Sequence, residues 1–104
     1  MDIAKMMKQA QKMQKDMAAT QASLADKTVE ATAGGGKVKV TATAAGDITG
    51  VRIDPSVVDP SDVEMLEDLV LTGIRNALAE GRKVAEAEMK KVTAGLGLPP
   101  GIGF

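Results

Sequence analysis

The chain has 104 residues, 44% of them hydrophobic, with a net charge of −1, which is the length of one domain or of one domain with projecting arms. Sixteen of the apolar residues are alanine and the single aromatic is Phe104, so the core has to be built from Val, Leu, Ile and Met. Its stability reserve is thin and association with a second copy is expected. Cys, His, Tyr and Trp are absent, which removes disulfides, thiol nucleophiles, imidazole bases, imidazole or thiolate metal ligands, and aromatic platforms for stacked bases. These exclusions point away from an enzyme, a cofactor and a small-molecule substrate.

Charge is unevenly distributed along the chain. Residues 1–27 carry +2, residues 28–54 balance, residues 55–72 carry −5, and residues 73–104 carry +2. The two ends are basic around an acidic middle, which the overall value hides.

The first segment reads as a helix. Ile3, Met6, Ala10, Met13, Met17, Thr20 and Leu24 recur at spacings of three and four, the a/d seam of three heptads. Lys5, Lys8, Lys12 and Lys15 repeat with the same rhythm at positions c and f. They place four ammonium groups opposite the seam over roughly 15 Å. The segment lacks the continuous apolar run of a signal peptide or membrane helix, so a cytoplasmic protein is expected.

The period then changes to two. Strands are expected at Thr28–Ala33, Gly36–Ala45 and Ile48–Asp54, joined antiparallel through turns at Gly34-Gly35 and Gly46-Asp47. Those turns set Val29 opposite Val40 and Val40 opposite Ile53. They also align Glu30, Lys39 and Asp54 in one row of alternating sign on the other face.

Asp54-Pro55 ends the third strand. Ser61 with Glu64 reads as a capping box opening a second helix, with apolar positions from Val63 and Leu66 to Met89 and Val92 over about 62–94. Unbroken, that helix measures about 50 Å, so it must bend near Gly73 or Gly81 or project beyond the sheet. Gly95 to Phe104 reads as a flexible or loosely docked tail. The organisation expected is a single domain: a helical arm at 1–27, a sheet at 28–56, a helical region at 61–94 and a tail at 95–104.

Among candidate sites, the lysine stripe is the most informative. A solvated outer face is the usual reading of such a stripe. No acid interrupts it between Lys5 and Lys15, however, whereas ordinary solvent faces mix signs, and a phosphate-contacting surface needs only placed cations. Arg82, Lys83, Lys90 and Lys91 are secondary candidates, because Glu80, Glu86 and Glu88 are interleaved with them and Glu86 can pair with Lys90. The acids from Asp59 to Asp68 match no calcium loop and complement the start of a helix. Gly34-Gly35-Gly36-Lys37 lies between strands and fails as a phosphate loop. A basic, Met-rich helix without Trp, Phe or Leu anchors is a poor membrane binder.

Four segments in order carry a resemblance. Met7-Lys8-Gln9-Ala10-Gln11-Lys12-Met13-Gln14, Val51-Arg52-Ile53-Asp54-Pro55-Ser56, Glu64-Met65-Leu66-Glu67-Asp68-Leu69-Val70 and Leu98-Pro99-Pro100-Gly101 resemble the corresponding motifs of the YbaB/EbfC nucleoid-associated proteins. The resemblance implies an α+β fold with an N-terminal helix, a three-stranded antiparallel sheet and a long C-terminal helix, assembled as a tweezer-like homodimer with helical arms. It implies a bacterial protein of the cytoplasm and nucleoid that binds double-stranded DNA with little sequence preference and takes part in chromosome organisation. The arm contacts map onto Lys5, Lys8, Lys12 and Lys15, and less firmly onto Arg82, Lys83, Lys90 and Lys91. A second, non-enzymatic reading is an interaction module whose heptad seam docks a partner helix. It predicts a seam left open from Met6 to Leu24.

Overall fold

The computed structural model describes residues 2–95. Helix α1 spans Ile3–Leu24, strands β1, β2 and β3 span Thr28–Ala33, Val38–Thr43 and Ile48–Ile53, a 3-10 turn covers Pro55–Val57, and helix α2 spans Val63–Gly95. The fold is therefore α+β, with a three-stranded antiparallel sheet in the order β1-β2-β3. The molecule extends 70 × 21 × 16 Å with a radius of gyration of 19.4 Å, against about 13 Å for a compact chain of this length.

Both hairpin registers differ from the sequence expectation by two residues, which preserves the faces. Ala31 pairs with Val40 and Ala33 with Val38, because Gly34 to Lys37 form a four-residue loop whose three glycines all have positive φ. Val38 pairs with Ile53 and Val40 with Val51. The second loop is Ala44-Ala45-Gly46. Thr43 donates its N–H to Asp47 O at 2.8 Å, Gly46 closes the turn at φ 97°, and a bulge follows opposite Thr41/Ala42. This is the three-residue hairpin loop with a left-handed glycine at its end, so β2 stops at Thr43; β3 ends at Ile53, just before Asp54-Pro55. The expected row of Glu30, Lys39 and Asp54 is correspondingly rearranged. Lys39 reaches Glu30 on the diagonal at 3.5 Å, and Asp54 instead pairs with Lys37 at 3.5 Å.

One face of the sheet is covered by α2. Val38, Val40 and Ala42 are completely buried in the central strand, together with Ala33 and Ala77, and Val29, Ala31, Val57, Leu69, Val70 and Ile74 complete the core. The sheet's opposite face carries Glu30, Lys39 and Arg52, all exposed, as period-two alternation requires.

Helix α2 begins at a cap other than the expected one. Asp62 Oδ1 accepts the N–H of Met65 at 3.2 Å, while Ser61 is engaged with Asp59 through both its N–H and its hydroxyl. Asp62 is thus the N-cap, and the Ser61/Glu64 box does not form. The helix then runs unbroken through Gly73 and Gly81. These glycines mark close approach to the sheet. A Cβ on Gly73 would lie 2.8 Å from Val40 Cγ2, and one on Gly81 would lie 2.8 Å from Thr43 O. With Ala77 between them at four-residue spacing, they form a small-residue ridge that lets α2 lie against β1 and β2. Beyond Gly81 the helix leaves the sheet and packs against α1. Of the two expected outcomes, bending and projection, the structure shows projection: the helix continues well past the sheet. Of the expected tail, residues 96–104 lie outside the described residues.

Candidate nucleic-acid interface

Helix α1 opens with Asp2 as N-cap, its carboxylate accepting the Lys5 N–H at 3.3 Å. The seam is buried in a gradient: Leu24 is buried, Met13, Met17 and Thr20 are half-buried, and Ala10, Met6 and Ile3 are exposed. Across from it, α2 presents half-buried Val84, Ala85, Met89 and Val92. The two helices contact each other, and Lys27, just past the end of α1, lies 3.8 Å from Glu88. The sheet-proximal half of the seam is therefore used inside the chain, and only the distal half remains open.

Lys5, Lys8, Lys12 and Lys15 are all exposed, and among the described residues none of them makes an ion pair. The secondary candidates divide. Arg82 and Lys90 are exposed and take no part in the ion pairs, whereas Lys83 pairs with Glu80 at 3.2 Å and Lys91 with Glu88 at 3.1 Å. The expected Glu86–Lys90 pair is not among them. Glu88 collects both Lys91 and Lys27, and the hydrogen bond from Lys91 is the main cause holding its carboxyl below the usual glutamate range. Exposed pairs of this kind are weak and exchange readily for phosphate, so Lys83 and Lys91 are less available than Lys90 without being blocked.

The acidic segment stands apart from this cationic row. Asp62, Glu64, Glu67 and Asp68 occupy the cap and first turns of α2. About 30 Å of helix separates Asp68 from Glu88, the point beside which Lys27 sits. From there α1 extends outward, since the 70 Å molecule is longer than the roughly 50 Å of α2 alone. With a Debye length of roughly 8 Å, this acidic segment does not reach the lysine row of its own chain; the carboxylates beside that row are Asp2 and Asp16.

A second feature lies at the sheet end. α2 covers β1 and β2 but leaves Ile48, Val51 and Ile53 of β3 about 40% exposed. Between that strand and α2 runs an apolar groove lined by Ile53, Leu66, Val70, Leu71 and Ile74, with Glu67 at its rim. Sequence reasoning read Leu66 and the apolar positions after it only as the periodic pattern of the helix and overlooked this groove. The signal was Leu71, an apolar residue off the sheet-facing stripe, which marks a second apolar face on the helix. Among the described residues no group of three Asp or Glu side chains is arranged to hold a metal, and no helix is long and apolar enough to cross a membrane.

Fold and surface together define a small α+β protein that presents a row of exposed cations on a projecting helix. The chain belongs to the YbaB/EbfC DNA-binding family, whose model matches residues 1–96. It is 56% identical over 104 residues to a nucleoid-associated protein of Akkermansia muciniphila, covering all of both chains. To a nucleoid-associated protein of Acetivibrio thermocellus it is 52% identical over 101 residues, which is 97% of this chain and 89% of the relative. The fold matches the crystal structure of an uncharacterized protein from Helicobacter pylori with a TM-score of 0.66 at 23% identity, covering 92% of this chain and 97% of the other. The family is one of DNA-binding proteins and not a known enzyme class.

Proposed function

We propose that this chain is a nucleoid-associated protein that binds duplex DNA as a homodimer, mainly through phosphate contacts and with little sequence preference. The observation that carries this reading is the row of Lys5, Lys8, Lys12 and Lys15, exposed, uninterrupted by acids and, among the described residues, free of ion pairs. Phosphate neutralisation with counterion release requires placed cations and nothing more. Arg82 and Lys90 extend the basic surface, and Lys83 and Lys91 join it by exchanging their glutamates for phosphate. Without aromatic readers or a recognition helix, the contacts carry position and little sequence information.

The second copy covers the apolar groove between α2 and β3. A chain this short leaves Ile48, Val51, Ile53 and Leu71 substantially exposed, a cost that an isologous partner removes on both protomers at once. Two arms per dimer then act as a bivalent binder. This reading treats the chain as one domain with a helical arm, located at the nucleoid, and requires no cofactor, small-molecule substrate or membrane. The alternative of a helix-docking module is weakened by the use of Met13, Met17, Thr20 and Leu24 within the chain.

Duplex affinity across salt concentrations, with two unrelated sequences, tests the reading. Four to eight phosphate contacts give a log–log slope of roughly −4 to −7 and similar affinities for both duplexes. Replacing Lys5, Lys8, Lys12 and Lys15 by Gln should abolish the binding. Weak binding that does not respond to salt, or an unchanged slope in the four-lysine variant, would refute it.

A further inference from the structure

The distal half of the α1 seam is open, and its residues are large and apolar: Ile3 is 69%, Met6 52% and Met7 58% exposed, followed by exposed Ala10. On a helix of 3.6 residues per turn this patch lies opposite Lys5, Lys8, Lys12 and Lys15. When the lysine face lies on a duplex, the apolar face therefore points away from it, and Met6 and Ile3 are poorly placed to wedge between bases. We infer that this face is a like-with-like contact, through which the arm of one dimer pairs with the arm of another.

Three observations single out a second copy of this chain as the occupant. The patch continues the heptad rhythm that already packs α1 against α2, so it has the geometry to receive another helix. Between the N-cap Asp2 and Asp16, which both fall at g positions, the flanking e and g residues are Met7, Gln9 and Gln14, which carry no charge. An identical helix can approach without repulsion there, while the lysines at c and f stay on the outside. The tip is also remote from the groove assigned above to the dimer. From Ile74 at the groove to Gly95 at the end of α2 is about 30 Å of helix, and α1 reaches further. A dimer closed through the groove leaves both tips projecting and unpartnered. Pairing between tips of separate dimers then joins two DNA-bound particles, which is a physical route to bridging or to cooperative coating. This inference rests on the proposed homodimer, and its test separates the two.

The experiment is light scattering on the full chain without DNA over a wide concentration range, comparing wild type with the Ile3→Glu/Met6→Glu double variant. Both positions are exposed, so the double variant should keep its helix content, which circular dichroism checks. The expected result is a wild-type mass that climbs from the dimer toward twice the dimer, and a double variant that stays at the dimer. A wild type that falls to monomer in the double variant would keep tip pairing and discard the groove dimer. A wild type and variant that both remain dimers, both remain monomers, or both climb equally would overturn the proposal. Because the chain has no cysteine, Met6→Cys provides a second readout. Oxidation should yield covalently linked species whose native mass exceeds the dimer, whereas Lys8→Cys on the opposite face should not. Cross-links confined to particles of dimer mass would mean that arms pair within a dimer and would also overturn it.

Discussion

Replacing Gly81 by alanine sets two physical effects directly against each other. In a helix interior the exchange gains about 1 kcal/mol, because glycine loses more backbone freedom on folding than alanine. Here the added methyl would meet Thr43 O at 2.8 Å and Ala44 Cα at 3.4 Å. These are backbone atoms, and that carbonyl also accepts the Gly46 N–H at 3.0 Å to close the β2–β3 turn, so it has no free rotation with which to yield. Relief requires lifting α2 from the sheet, and overpacking of this kind costs about 1–3 kcal/mol, with a rigid backbone neighbour placing it in the upper part. The net expectation is a loss of about 1–2 kcal/mol, which lowers the melting temperature by roughly 5–15 °C in a domain of this size. Thermal unfolding at one fixed protein concentration measures it, since mass action shifts the midpoint of an associating protein. Gly73→Ala should lose less, because its nearest neighbour is a side-chain methyl, Val40 Cγ2. A Gly81→Ala protein as stable as wild type, or more so, would refute the close-approach account of the ridge.

Leu71→Asp places a charge in the groove between α2 and β3, and size-exclusion chromatography should show a shift from dimer to monomer with the helical signal retained. Among the secondary cations, Lys90→Gln should reduce the salt slope of DNA binding by about 1 for a lost phosphate contact, while Lys83→Gln, held by Glu80 at 3.2 Å, should change it less. Acid sensitivity follows from three carboxylates. Asp54 is lowered first by the Ser56 N–H, Asp59 by the Ser61 hydroxyl and Glu88 by Lys91. A folded-state value below the unfolded one gives stability that is present above the ordinary carboxylate range and is lost as pH falls through the depressed values. Urea midpoints should therefore decline below about pH 4, and Asp59→Asn should flatten that decline.

Much of this fold could be read from residue pattern. The change of period from 3.6 to 2 and back located every element within a few residues, because each element is amphipathic on its own. The registers were legible only as far as their faces. Gly34-Gly35 and Gly46-Asp47 suggested two-residue turns, but the run of three glycines extends the first loop and Gly46 ends a longer second one, and sequence spacing does not distinguish these. The cap was expected at Ser61 and lies at its neighbour Asp62, since both residue types cap well and only the Asp59 contact decides. Gly73 and Gly81 looked like points of bending because propensity is local, whereas their use is set by Val40 and Thr43 on a strand more than 30 residues away. The lysine row was fully legible, for a helical stripe needs no tertiary knowledge. Its members' lack of ion pairs among the described residues was not, nor was the groove beside β3, which depends on how far α2 extends across the sheet.

The ten residues from Ile3 to Lys12 are exposed on every side, and a helix of that length is marginal in water without support. It propagates from the anchored turns around Met17 and Leu24, against mutual repulsion of Lys5 with Lys8, Lys8 with Lys12 and Lys12 with Lys15 at neighbouring positions. Phosphate contact, as proposed, would cancel that repulsion. The outer arm should accordingly fray at low salt when free and tighten on a duplex, so part of the binding energy is spent on ordering. Amide exchange along α1 would then report the bound state before any change in the sheet, and such coupling of arm order to ligand would let one short helix follow duplexes of differing curvature.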